Sequence, residues 1–178
     1  MSPDALLQEM LEEFQLRRLV HAYCRAVYRG DIETLRGLYH DDAKDHHGAF
    51  SAGPVQNFLD GLVASRPHLQ SMQHHVTTVN FALSGDHAEG EIYSIATHTF
   101  NAGDRDVDVI AGGRYLDKYE KRSGTWKFTD REIVTDWARV TDPSAMDYSH
   151  RITRDTPRGT TDVNDPSYQF FSLLGNGS

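Results

Sequence analysis

The feature that most constrains this chain is a change of hydrophobic period near Ser71. Up to Pro67 the apolar residues recur every three to four positions, and from Val79 onward they alternate with polar neighbours as far as Val140. A period near 3.6 specifies helices with one buried stripe, and a period of two specifies strands with one buried face. Helices therefore precede strands and are segregated from them, which is the pattern of an α+β domain.

The helical part is punctuated by local signals. Ser2, Pro3 and Asp4 read as an N-cap, a proline at the first helical position and an acid in the first turn,. Leu7, Met10, Leu11 and Phe14 open an apolar stripe that Leu16, Leu19, Val20, Tyr23 and Val27 continue, with Gly30 as the stop,. Asp31 caps a short second helix whose buried face is Ile32, Leu35, Leu38 and Tyr39, and Asp42 to Phe50 reads as a polar strand,. Gly53 and Pro54 open a third helix with Val55, Phe58, Leu59, Leu62 and Val63 inward, ending at Pro67,.

Ser84-Gly85-Asp86, Asn101-Ala102-Gly103-Asp104 and Ser123-Gly124 then divide the alternating region into four long strands: Ser71 to Ser84, His87 to Phe100, Val107 to Tyr119 and Thr125 to Val140,. Such short connections require an antiparallel meander. Gly112-Gly113 inside a strand predicts a bulge or bend, so the sheet should curve,. Residues 141–178 carry Pro143, Pro157 and Pro166 among Asp, Arg, Thr and Ser, and read as an irregular tail with a short helix in DPSYQFFSLL,.

A chain of 178 residues suits one domain,. Its net charge of -8 lacks the clustered Lys and Arg of a phosphate-backbone binder, so nucleic acid is not an expected partner,. No apolar run is long enough to span a membrane, and the acidic start MSPDALLQEMLEEF is unlike a secretory signal, so the expected location is cytoplasmic,. Cys24 is the single cysteine, sits in a helical pattern, and has no partner for an internal disulfide,.

Three stretches, AYCRAVYRGDIETLRGLYHDDA, SMQHHVTTVNFALSGDHAEGEIY and GGRYLDKYEKRSGTWKFTDREIVTDW, resemble in order and spacing the SnoaL-like branch of the nuclear transport factor 2-like superfamily. The resemblance covers roughly residues 10 to 140. It implies an α+β NTF2-like cone, in which three N-terminal helices pack on a strongly curved, mostly antiparallel sheet and enclose a pocket. The domain then spans residues 1–140, with 141–178 as a tail packing on it or on a neighbouring subunit. Members include scytalone dehydratase, bile acid 7α-dehydratase and lindane dehydrochlorinase.

In the eliminating enzymes a His at the start of the first long strand is the general base, and the resemblance puts His74 there,. Strict alternation instead places His75 on the side of Val79, Phe81 and Leu83,. A bulge near Thr77-Thr78, or cover on both sheet faces, would reconcile the two readings. The family's orienting Asp on the first helix is Tyr28 here, while Asp31 is explained by capping,. Tyr23 matches a Tyr of the bile acid dehydratase and is expected to polarise a carbonyl or protonate a leaving group, and it also fits the core stripe.

Asp45 and His47 share one face of the polar strand, and His46 faces the other way,. Asp45 resembles a pocket position of the dehydrochlorinase and would supply the carboxylate that orients His74. Arg131 resembles that enzyme's pocket Arg, lies by alternation on the face of Ile133 and Trp137, and would hold an enolate or phenolate oxygen,. Tyr28, His47, His75 and His98 are expected substrate contacts, whereas Tyr119, Trp126 and Phe128 are expected core. His46, His47 and Asp45 lack a metal-ligand spacing, so neither a metal nor a cofactor is expected,.

The expected function is a cofactor-independent lyase. It would act by elimination, or by related proton transfer such as retro-aldol release, on a small aromatic, alicyclic or steroid-like substrate. A non-catalytic small-molecule binding protein and a small scaffold subunit of a ring-hydroxylating dioxygenase are the alternatives. Apolar residues on both strand parities, Val76 and Ala82 against Val79 and Phe81, predict a homo-oligomer, a trimer or a dimer,.

Overall fold

The computed structural model describes residues 2–145 and 148–172. Ser2 caps α1 (Pro3–Arg29), accepting from the Ala5 N–H, and Gly30 closes it at φ 63° and ψ 27°. That left-handed conformation costs glycine nothing and penalises any residue with a Cβ. Asp31 caps α2 (Ile32–Gly37) through the Thr34 N–H at 3.0 Å and the Thr34 hydroxyl at 2.7 Å. Then come β1 (Tyr39–His46), α3 (Val55–Ser65), a single turn at Arg66–His68, and the four long strands. These are β2 (Leu69–Ser84), β3 (His87–Asn101), β4 (Asp106–Arg122) and β5 (Thr125–Thr141). A further turn at Pro143–Ala145 and α4 (Pro166–Phe170) complete the described chain. Leu173 and Leu174, which the sequence pattern adds to that last helix, lie outside the described residues.

The five strands form one mixed sheet in the order β1-β5-β4-β3-β2, in which only the β1 to β5 pairing is parallel. The sheet is unclosed and curled, and α1 and α3 pack on one face of it, as in an NTF2-like cone. Leu16, Val20, Tyr23, Phe58 and Leu59 from the helices meet Ile92, Tyr115, Tyr119 and Phe128 from the strands in one buried cluster.

Two bulges set the side-chain parity. On β2, Val76 pairs with Ser94 and Val79 with Ile92, so Thr77-Thr78 together face the single residue Tyr93. The extra residue returns Met72, His74 and Val76 to the inner side shared with Val79 and Phe81, while His75 is exposed,. On β5, Gly113 pairs with Thr135 and Gly112 with Trp137, which leaves Asp136 as the extra residue. Trp137 is thereby separated from the face of Arg131 and Ile133 and lies across Gly112, where a Cβ would come within 2.3 Å of its ring.

Other departures from the sequence pattern have plain causes. Leu7, Met10, Leu11 and Phe14 are exposed, since α1 runs for 27 residues and burial begins in earnest only at Leu16. β1 starts at Tyr39 instead of Asp42 and ends before Gly48, because its limits follow a parallel pairing with β5, 89 residues on at Tyr39↔Phe128. After β5 the chain returns to α1. Arg29 forms an ion pair with Asp165 at 2.7 Å and donates to the Thr160 carbonyl at 3.1 Å. No helix among the described residues is long and apolar enough to cross a membrane.

Candidate functional site

Between α1, α3 and the inner face of β2, β3 and β4 lies a cavity of about 430 Å³. Its walls are largely apolar, from Val27, Phe58, Leu62, Met72, Phe100 and Val109, and into them are set Tyr23, His47, His74 and His98. A few polar groups on an apolar lining is the usual make-up of a small-molecule site.

The most organised group sits where β1 ends. Asp45 donates its N–H to the Gly53 carbonyl at 2.9 Å and His47 to the Ser51 carbonyl at 2.8 Å, so the returning loop fixes both backbones. The Asp45 carboxylate is fully buried. It accepts the Tyr39 hydroxyl at 2.8 Å on Oδ2 and bonds His47 Nδ1 through Oδ1. A carboxylate acceptor on Nδ1 assigns the ring proton to that nitrogen and leaves Nε2 as a lone-pair acceptor. Nε2 lies 3.4 Å from the Tyr23 hydroxyl, a long contact,. Phe58 stacks on the imidazole with ring centroids 4.4 Å apart and planes at 10°. Burial pushes the Tyr23 phenol well above its ordinary pKa, so it is a neutral donor,.

Across the cavity His74 and His98 meet edge-on at 5.4 Å between centroids. His74 Nδ1 is buried without a hydrogen-bond partner among the described residues. Burial, with a smaller contribution from His98, lowers the His74 pKa to about 3, and burial lowers that of His98. His74 is thus a neutral imidazole with no carboxylate of a described residue within 4.0 Å.

Residues 8–132 match the family of SnoaL-like domains. The chain belongs to the SnoaL-like family. No curated protein matches it. Among solved structures, a candidate scytalone dehydratase from Novosphingobium aromaticivorans is 20% identical, with a TM-score of 0.66 over 78% of this chain and 97% of its own. A type 2 hexachlorocyclohexane dehydrochlorinase, LinA, is 17% identical with a TM-score of 0.70 over 79% and 96%. The β subunit of a candidate aromatic-ring-hydroxylating dioxygenase from N. aromaticivorans is 19% identical with a TM-score of 0.57 over 74% and 93%. At these identities the likeness is one of fold.

Within this SnoaL-like domain the residues singled out by sequence divide into two groups. Tyr23, His47, His74 and His98 line the cavity, with Asp45 directly behind His47. Asp45 orients His47, not His74. His75 is on the outer face, bonded to Gln73 at 3.1 Å, because the Thr77-Thr78 bulge reverses the simple alternation. Tyr28 is turned away from the cavity, its ring under the Arg29 guanidinium at 4.3 Å.

Arg131 is fully buried behind Tyr23 and does not line the cavity. Its Nε and Nη2 donate to the two Asp117 oxygens at 2.6 and 2.7 Å, and Tyr119 donates to the same carboxylate at 2.6 Å. The guanidinium lies 3.9 Å from the Tyr23 ring centroid, a cation-π contact that holds this ring in place. Asp117 was absent from the sequence reading, although its alternation with Tyr115 and Tyr119 on β4 marks it as inward-facing. Ser65, Arg66 and His68 at the rim were also missed, since the turn at Pro67 reads only as a helix end. His46 faces Asp130 at 3.9 Å, and no cluster of three or more His, Cys, Asp or Glu suited to a metal occurs among the described residues.

Proposed function

We propose that this SnoaL-like domain is a cofactor-independent lyase in which His47 is the general base. The observation that carries the reading is the chain of contacts from Asp45 through His47 to Tyr23 at the wall of an apolar cavity. His47 Nε2 takes a proton from a carbon beside a carbonyl, and the Asp45 carboxylate stabilises the imidazolium that forms. The C–H electron pair moves toward the carbonyl, whose oxygen accepts a hydrogen bond from Tyr23. Reformation of the carbonyl expels the β-hydroxyl as water, for which the imidazolium supplies the proton. The substrate class is a small aromatic, alicyclic or steroid-like β-hydroxy carbonyl compound. Retro-aldol release would use the same groups.

The test is incubation of ring-bearing β-hydroxy ketones with the protein in deuterium oxide, followed by NMR. The reading requires deuterium at the α-carbon or loss of water, and either must disappear in His47→Ala. Compounds that bind without exchange or elimination would replace it with the carrier reading. That second reading is favoured by Tyr28, which stands where the family's helix carboxylate is expected and lies outside the cavity.

The same proposal includes self-association through the outer sheet face, where Tyr93, Ile95, Leu116 and Trp137 are exposed,. Sedimentation of the purified chain at micromolar concentration should give a dimer or trimer. Only monomer would argue against it, and assembly solely with a large partner subunit would favour a role like that of the dioxygenase β subunit.

A further inference from the structure

Among the described residues Arg66 is the one lysine or arginine that lines the cavity. It stands at the rim, where the single turn following α3 meets the end of α1. Its Nη1 reaches the carbonyls of Val27 and Tyr28 at 3.4 and 3.5 Å, both long contacts, and its Nε and Nη2 bond no described residue. A Cβ on Gly30 would come within 2.4 Å of the guanidinium, so the glycine that ends α1 also makes room for this side chain.

The Arg66 guanidinium has only the last carbonyls of α1 as hydrogen-bond acceptors among the described residues. No carboxylate among the described residues lies within 4.0 Å of it. Burial lowers the Arg66 pKa and the charge of Asp162 offsets part of that shift from beyond ion-pair distance, while the same carboxylate accepts from the Thr160 hydroxyl at 2.8 Å and the Asn164 N–H at 2.9 Å. The chain holds 26 acidic residues against 18 basic ones, yet none of the described ones forms an ion pair with this partly buried guanidinium. Desolvating an unpaired charge is unfavourable. The cost is recovered when an anion occupies the site, because a guanidinium presents several N–H donors in a planar fork. Among the described residues no acidic side chain lines the cavity, and Asp45 is screened behind His47.

We infer that Arg66 anchors an anionic group on the ligand, and that the cavity takes apolar organic acids in preference to their neutral counterparts. The inference rests on the reading of this cavity as the ligand site, and it deepens that reading by naming a charge on the substrate. The anion sits at the rim and the apolar body extends inward toward Met72, His74 and His98.

Two probes with the same rings separate charge from shape: anilinonaphthalene sulfonate and the uncharged N-phenylnaphthylamine. Of the four methionines, Met72 is buried against the cavity and Met10 is exposed on α1. Carbon-13 methionine methyl spectra therefore report which place a probe occupies. Both probes should shift the Met72 signal. Arg66→Gln should weaken the sulfonate by about tenfold or more, the usual scale of a charge-assisted hydrogen bond, and change the neutral probe by less than about twofold. Arg66→Lys should restore part of the sulfonate affinity, since it keeps the charge without the fork. Equal weakening of both probes, an unchanged sulfonate affinity, or a sulfonate that shifts Met10 and leaves Met72 still would each overturn the inference. Turnover plays no part in the measurement. A protein that shows the split without catalysing elimination keeps this inference and loses the lyase reading, and an active protein without the split does the reverse.

Discussion

Asp45 and His47, on one face of the strand end at β1, are hydrogen-bonded to each other through Oδ1 and Nδ1, and the His47 Nε2 is left 3.4 Å from the Tyr23 hydroxyl. The pair is local in sequence, yet it works only because the 48–53 loop returns to bind both backbones and Phe58 stacks on the ring.

His47→Ala should lower turnover by roughly two to four powers of ten, the range of a general base. Asp45→Asn should cost a comparable amount, because an amide nitrogen facing Nδ1 favours the wrong imidazole tautomer. His74→Ala should cost less. Steady-state rates on the compound that shows elimination, measured beside melting temperatures, check this; a crippled His74 variant with an active His47 variant would reassign the base.

His74 makes the fold sensitive to acid. Its pKa is about 3 in the folded protein against roughly 6.5 in the unfolded chain. Between these values the unfolded state holds a proton that the folded state lacks, so stability is full above pH about 6.5 and falls as pH drops toward 3. His98 is shifted in the same direction. The slope from one such group is at most about 1.4 kcal/mol per pH unit. Urea denaturation from pH 7 to pH 4 should show a flatter dependence in His74→Gln than in the parent. Identical slopes would contradict the burial argument.

Arg131 and Asp117 are both fully or almost fully buried and bind each other through two hydrogen bonds. Removing one partner leaves a buried charge unmatched, so Arg131→Met or Asp117→Leu alone should destabilise by about 3–5 kcal/mol. The double substitution should recover much of that loss. Urea midpoints of the three variants check the cycle, and additive losses would mean that the pair is not acting as a unit.

The clamp between Arg29 and Asp165 holds the C-terminal segment on the end of α1, with side chains only 12% and 5% exposed. Asp165→Ala should loosen that segment without unfolding the domain. Trypsin cleavage after Arg151, Arg154 or Arg158 should accelerate about tenfold, the scale of a lost charge-assisted hydrogen bond, while the melting temperature changes little. Unchanged cleavage would show that the segment is held elsewhere.

Local chemistry made the elements legible. Ser2, Gly30 and Asp31 act on neighbours within four residues, and the glycine-containing turns are bounded by the strands they join. Gly112-Gly113 marked a real irregularity, although the extra residue proved to be Asp136 on the neighbouring strand. Four of the nine residues of the α1 stripe misled, because periodicity specifies which face of a helix is apolar and not how far along it the rest of the fold extends.

The sequence by itself determined the helix ends, the strand limits within a few residues, and the inward set of each strand between bulges, since these depend on short-range sterics and a fixed pleat. Tertiary structure alone decided which ionisable groups meet. One extra residue at Thr77-Thr78 turned His74 inward and His75 outward. Parallel pairing set Asp45 opposite Arg131 in register, yet β4 supplied Asp117 as the arginine's partner, so Asp45 was left to His47. Such choices depend on register between distant strands, which a one-residue slip reverses and no local pattern records.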